Sequence, residues 1–367
     1  MILVRAPAFG LSWLGSQGTR AVAAVIFIAI AIPPMGDILR PFLTFSIFAL
    51  LTVAFMRVDL QRVRARMRQP RLILLAAGWS MLVVPGVFGG VMLVAGIDGS
   101  APDLFLAIML QSMASPLISA PAFAALVGLD ATLVLVTGID GSVPDLFLAI
   151  MLQSMASPLI SAPAFAALVG LDATLVLVTL VVTTISVPFT AALFALFYFG
   201  PETSLAPLGL GGQLALLLGG AAVTAAIIRR AAGYARIIGR ASEIDGINIL
   251  LLYVFSAAIM KNIAGEFFAT PWLMIGLTAL SFVIFFVMFT TTAISFWWAG
   301  RDSALSLSFM VSQRNMGLML GATGGVLPDL TWVYFALAQF PIYLTPQILK
   351  PLMRRMRGVS GESSPPR

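Results

Sequence analysis

Residues 313–315 read Gln-Arg-Asn in the middle of an apolar run, Arg301–Val326 (RDSALSLSFMVSQRNMGLMLGATGGV). An arginine about ten residues into such a run lies near a bilayer centre, where it costs at least about 2.5–3.5 kcal/mol and therefore faces a cavity or a partner. Two chemistries fit Arg314. Backbone carbonyls of another segment satisfy it, or it attracts an anionic solute group with help from helix amino termini, flanked by Gln313 and Asn315 as neutral hydrogen-bonding groups. No Asp or Glu stands at the middle of any expected span, so no internal carboxylate partner is visible. Gly321-x-x-x-Gly325 reads as helix packing.

A second polar interruption, QSMASPL, occurs twice, because one 42-residue unit is written in tandem: Gly138–Thr179 repeats Gly96–Thr137 with Ala101 replaced by Val143. So faithful a copy is recent; an old solenoid drifts and needs three or more units. In each copy a capping box (Ser100-x-x-Asp103, Ser142-x-x-Asp145) opens a helix. The apolar run then meets Ser115, Pro116, Ser119 and Pro121, or Ser157, Pro158, Ser161 and Pro163, before resuming. Two nearby prolines remove donors and push the chain out of helical geometry. The pattern is that of a discontinuous membrane helix, or of a kink healed by serine hydroxyls.

The composition places these motifs. Of 367 residues, 60% are hydrophobic and 10% charged, with a mean hydropathy of +1.04, so the chain is an all-α polytopic membrane protein whose partner is the lipid bilayer. Histidine and cysteine are absent. With no mid-span carboxylate pair either, there is no catalytic set, and an enzyme is not expected. The net charge of +6 does not mark a nucleic-acid partner, because the arginines sit between apolar runs, as in the positive-inside pattern.

Residues 1–19 read as a leader. Arg20 and Ala21–Ile32, with Ala29-x-Ala31, resemble a signal peptide but are expected to be the first span. Further spans are expected at Pro41–Met56, Leu72–Ala95, the duplicated helix, Thr174–Phe199 and Leu208–Ile228. The rest are Ile247–Met260 (continuing to Phe268), Pro271–Trp298, Ala304–Val326 and Leu330–Leu349. Arg229–Gly246 reads as an interfacial helix, and the tail from Lys350 carries four basic residues before GVSGESSPPR, which reads as disordered. If one copy of the repeat crosses, ten spans put the basic segments 57–71, 229–240 and 350–357 on the cytoplasmic side of the cell (inner) membrane, with both termini, and the turns near 98, 202 and 329 outside. The extra copy must then add zero or two crossings. Its return stretch, Leu129–Thr137, spans about 14 Å as a helix against a core of about 30 Å. Only one copy is expected at the functional position.

Without the extra copy, five spans precede residue 200 and five follow, so the halves 20–200 and 201–349 are oppositely oriented repeats, with 350–367 as a cytoplasmic tail. The fourth span of each half is the interrupted one, the arrangement that marks a transporter's midplane site. At these residues the chain resembles the bile acid:sodium symporter family. The likeness is clearest over Ser154–Phe194, where a Ser-containing broken helix passes through Leu171-Asp172 into a Thr- and Ser-rich span (Thr183 to Pro188), and over Ser306–Gly321. The resemblance implies two inverted five-helix repeats with crossed discontinuous helices, here carrying one extra duplicated broken helix. It also implies a carrier of small, anionic organic solutes, with Arg314, Asn315, Gln313, Ser157, Pro158, Ser161 and Ser115 at the site. Met310 stands where the family has its sodium-binding Glu, Arg314 where it has Gln, and Ser157-Pro158 where it has Ser-Asn. A principal ligand for Na+ is thereby lost and a positive charge gained, while Ser157, Thr183 and Asn315 keep oxygens able to coordinate weakly. A membrane sensor or solute-binding protein of the same fold, without transport, is the other reading. Neither the basic tail nor the glycine-rich faces specify an oligomer.

Overall fold

A computed structural model describes residues 2–66, 70–94, 143–159, 161–199, 207–323 and 327–356. Among these residues every regular element is a helix. The first copy of the repeat, with Ser115, lies outside the described residues, as do the turns near 98 and 202.

The leader is helical. Helix α1 (Ile2–Ser16) turns at Gly18 (φ 53°) into α2 (Thr19–Ala31). There follow α3 (Pro34–Leu39), α4 (Leu43–Arg57), α5 (Leu60–Arg66), α6 (Pro70–Gly78) and α7 (Val84–Val94), the last two joined by a π turn, Trp79–Val83. The second copy of the repeat forms α8 (Val143–Met155), a non-helical stretch, and α9 (Ala162–Val169), then enters α10 (Ala173–Phe199). The second half is α11 (Pro207–Ala232), α12 (Tyr234–Gly239), α13 (Ala241–Ile259), α14 (Ile263–Ala269) and α15 (Pro271–Ser295). It closes with α16 (Arg301–Ser312), α17 (Met316–Ala322), α18 (Asp329–Leu337) and α19 (Gln339–Met356).

Six described helices are long and apolar enough to cross a membrane: Pro34–Arg57, Pro70–Val94, Ala173–Tyr198, Leu208–Ala232, Ala241–Ile259 and Pro271–Ser295. The other expected spans are shorter or interrupted. Three boundaries differ from expectation. The interfacial helix shrinks to α12, because Gly233 (φ 82°) ends α11 and Ala241 already belongs to the next span. That span stops at Ile259, where left-handed Asn262 (φ 65°) breaks it from α14, so it does not run on to Phe268. The last span runs past its expected end at Leu349 to Met356, and the stretch 358–367 expected to be disordered lies outside the described residues.

Two groups of helices build the interior. Helices α2, α4, α11 and α13 pack on one another, and α1 lies along α13. The second group holds α6–α7, α8–α9, α10, α15, α16–α17 and α18–α19. One strong joint between the groups is α10 on α11, where a methyl on Gly211 would sit 2.8 Å from the Pro188 carbonyl oxygen. Contact between α1 and α13 depends on glycine even more. A methyl on Gly15 would lie 2.0 Å from Ser242 O, and one on Gly246 would lie 2.1 Å from Leu11 O. The pairing Gly15–Ser242 and Leu11–Gly246 makes the two helices antiparallel.

The two ends of the bundle differ chemically. At one end Arg57 of α4 pairs with Asp245 of α13, Arg229 Nη1 donates to Val58 O at 2.6 Å, and the Arg229 guanidinium lies 4.5 Å over the Tyr234 ring. The basic segments after α4 and α11 thus meet at one place. The far end of α13 carries Lys261 paired with Asp37 at 2.6 Å, Arg40 over Trp332 and Thr331 Oγ1 donating to Asp145 O at 2.8 Å.

Two outcomes follow from this packing. Deleting residues 96–137 joins Ala95 to a linker, Gly138–Ser142, identical to the one it replaces (Gly96–Ser100), and leaves the packed copy whole. The shortened chain should therefore melt within about 2 °C of the full one in detergent, and a collapse of the melting transition would show that the first copy is needed. Gly246→Leu should lower the melting temperature by several degrees through overpacking, whereas Gly212→Leu, with open space at its Cβ, should not.

Candidate functional site

Helices α8–α9 and α16–α17 are both interrupted, and their interruptions touch. Pro158 and Arg314 form an antiparallel bridge in which Leu159 N donates to Gln313 O at 2.6 Å and Asn315 N donates to Ser157 O at 2.9 Å. The proline sits at a position of this bridge that needs no N–H, so its missing donor costs the bridge nothing. Local chemistry fixes each end. Gly170 (φ 90°) ends α9, with Leu171 N donating back to Ala166 O at 2.8 Å. Asp172 Oδ1 then caps α10 through Thr174 N (3.0 Å) and Leu175 N (2.9 Å), and Asp172 N donates to Ser306 Oγ at 2.8 Å, tying this junction to α16. On the other broken pair, Asn315 Oδ1 accepts from Leu318 N at 3.2 Å and caps α17.

Arg314 is 0% exposed. Its Nη1 donates to Ala156 O at 2.9 Å, at the carboxyl end of α8, where a cation is favoured. Nη1 also reaches Ser80 Oγ (3.2 Å) and Ser80 O (3.3 Å), and Nη2 reaches Ser80 O (3.3 Å). Ser80 is free to accept because of the π turn. Val84 N donates to Trp79 O, one residue further back than an α-helix would have it. The next donor in that register would be residue 85, a proline with no N–H, so the Ser80 carbonyl is left for the guanidinium. Trp79 anchors the turn, donating from Nε1 to Thr292 Oγ1 at 2.9 Å and packing edge-on against Phe296.

All these acceptors are neutral. A buried charge without a counter-charge is expensive, and here oxygen dipoles alone carry the stabilisation. Some buried polar atoms at the crossing have no partner among the described residues: Arg314 Nε, Ser157 Oγ and Gln313 Oε1. Gln313 Nε2 is used, donating to Thr345 Oγ1 at 2.9 Å.

Beside the crossing lies a cavity of about 640 Å³, within the roughly 300–1,000 Å³ typical of small-molecule sites. The first helix group lines it with Ile47, Leu51, Asn248, Leu252 and Phe255, and the second with Leu159, Ser161, Thr174, Leu177, Arg314–Gly317, Gln339 and Tyr343. Gly15, Ser16 and the Arg57–Asp245 pair line it at the basic end. The walls are mostly apolar, and the polar groups are largely neutral amides and hydroxyls.

No known protein-family model matches this chain, and no curated protein matches it.

Of the residues singled out from the sequence, Arg314, Asn315 and Ser161 line the cavity, while Gln313, Ser157 and Pro158 form the crossing behind that lining. Thr183 is buried in α10, donates to Leu180 O of its own helix at 2.9 Å and does not line the cavity. Met310 is fully buried. Ser115 lies outside the described residues. Sequence reading missed Ser80 and Pro85, although a serine five residues before a proline in an apolar span is the trace that they leave. It also missed Asp245 and Asn248, which look like ordinary residues at the start of a helix.

Pro85→Ala tests the arrangement against helix propensity. Removing an interior helix proline ordinarily stabilises by up to about 3 kcal/mol. Here it restores a donor that withdraws the Ser80 carbonyl from Arg314, so the melting temperature should fall. Ser80→Ala, which leaves the carbonyl, should cost less. A rise in Pro85→Ala would show that Ser80 does not hold the guanidinium.

Proposed function

We propose that this membrane protein is a secondary carrier of small organic anions that works by alternating access without requiring sodium. The carrying observation is the guanidinium at the contact of two interrupted helices, beside a cavity sized for a small molecule. In this reading the six long helices, α2, the two interrupted pairs and α18–α19 make ten crossings in two inverted halves, as in the bile acid:sodium symporter family. The group α2, α4, α11 and α13 and the group built on the crossing are the two bodies that move against each other.

Charge supports an inward-open form. The cavity reaches the end where Arg57 and Arg229 gather, the end that the positive-inside rule assigns to the cytoplasm. The opposite end is tied by Thr331 to Asp145 and Lys261 to Asp37. Both termini are then cytoplasmic.

Arg314 takes over the electrostatic task of a bound cation. A fixed positive charge draws the anionic group of a solute to the crossing, and with Met310 in place of a carboxylate no acidic ligand is offered to Na+. Ser157 and Asn315 are left with a guanidinium as their neighbour, and like charges in a desolvated site repel strongly.

In proteoliposomes, uptake of anionic solutes should be the same with and without an inward sodium gradient, and Arg314→Gln should reduce it at least tenfold. Uptake that climbs steeply with sodium would refute the cation-substitution idea. A solute that stabilises the purified protein but never crosses the bilayer would identify a binding protein or sensor instead.

A further inference from the structure

Arg314 has more donors than the described residues supply acceptors for. Its two terminal nitrogens share Ala156 O, Ser80 O and Ser80 Oγ, while Nε donates to none of the described residues. The Ser157 hydroxyl is also buried and has no partner among the described residues, although the Ser157 carbonyl is used by Asn315 N and the preceding carbonyl by Nη1. Two orphan donors, one charged, therefore belong to the same few residues of the crossing. Among the described residues that line the cavity the carboxylate is Asp245, which is committed to Arg57 at the mouth. Buried polar groups are almost always paired, and a buried cation most of all.

We propose that Arg314 binds a small inorganic anion of the size and charge of chloride, held by the Nε–H and the Ser157 hydroxyl. The ion supplies the counter-charge that none of the described residues provides. Arg314 and Asn315 form part of the cavity wall, whereas Nε and the Ser157 hydroxyl lie sealed behind it, so side-chain movement at the crossing admits the ion from the cavity. A cation is the alternative occupant, since Ser157 Oγ and Gln313 Oε1 can also accept. It would sit beside a guanidinium with no carboxylate to offset the repulsion, so the anion is favoured. This site follows from the unbalanced charge and stands whether or not the protein moves a solute.

The test uses full-length protein in detergent at constant ionic strength. Chloride replaces gluconate, and both the melting temperature and bound radioactive chloride are read. Chloride should bind saturably at one ion per chain and raise the melting temperature by about 3 °C at saturation. Bromide should substitute, and exchanging sodium for choline at fixed chloride should change nothing. Arg314→Lys, which keeps a charge but loses Nε, and Ser157→Ala, which removes only a hydroxyl, should each weaken chloride binding about tenfold. Should the lysine variant not fold, the alanine variant decides alone. Unsaturable binding, binding as tight in both variants as in the unaltered protein, or a response that follows sodium would each overturn the proposal. Loss of the carrier reading leaves these measurements untouched, because none of them involves uptake.

Discussion

A positive charge sealed into an apolar interior demands oxygen atoms, and much of this fold is arranged to deliver them. Arg314 receives one carbonyl from the end of a broken helix and a carbonyl and hydroxyl from a distorted turn of another. Each source is a place where regular helix hydrogen bonding fails. At Ala156 the helix has stopped. At Ser80 a shift to wider winding, followed by a proline, leaves a carbonyl with no donor of its own. Defects in two helices thus become the solvation shell of a third element's side chain.

Close packing around this point relies on small residues. Glycine at 15, 246 and 211 lets backbones approach to distances that any Cβ would forbid. Without a strong hydrophobic drive between helices in lipid, such approach is a main source of association. The joint between α1 and α13 also brings the end of the amino-terminal helix to the mouth of the cavity, beside the Arg57–Asp245 pair. A segment that reads as a leader is therefore part of the cavity wall.

The second copy of the tandem repeat supplies the crossing and runs straight into α10, with Asp172 capping the junction. Use of the first copy would place a whole further unit between the crossing and the helix that packs beside it. Continuity with α10 favours the nearer copy, although the two are almost identical in sequence.

The sequence by itself determined the class of molecule, the two interrupted segments and the oddity of Arg314, because each is a local property: apolar run length, proline spacing, and a charge where charges are costly. It also marked Ser157 and Asn315, whose backbones meet. Helix breaks at Gly233 and Asn262 were harder to see, since a glycine or asparagine in a span does not announce a left-handed backbone. What holds Arg314 was settled by the fold alone. Ser80 is 234 positions away from it and Ala156 is 158 away, and no local pattern tells which distant carbonyl will lack a donor and lie within 3.3 Å of a guanidinium. The cavity is likewise a property of how two helix groups fit together, because its walls come from segments scattered from Gly15 to Tyr343.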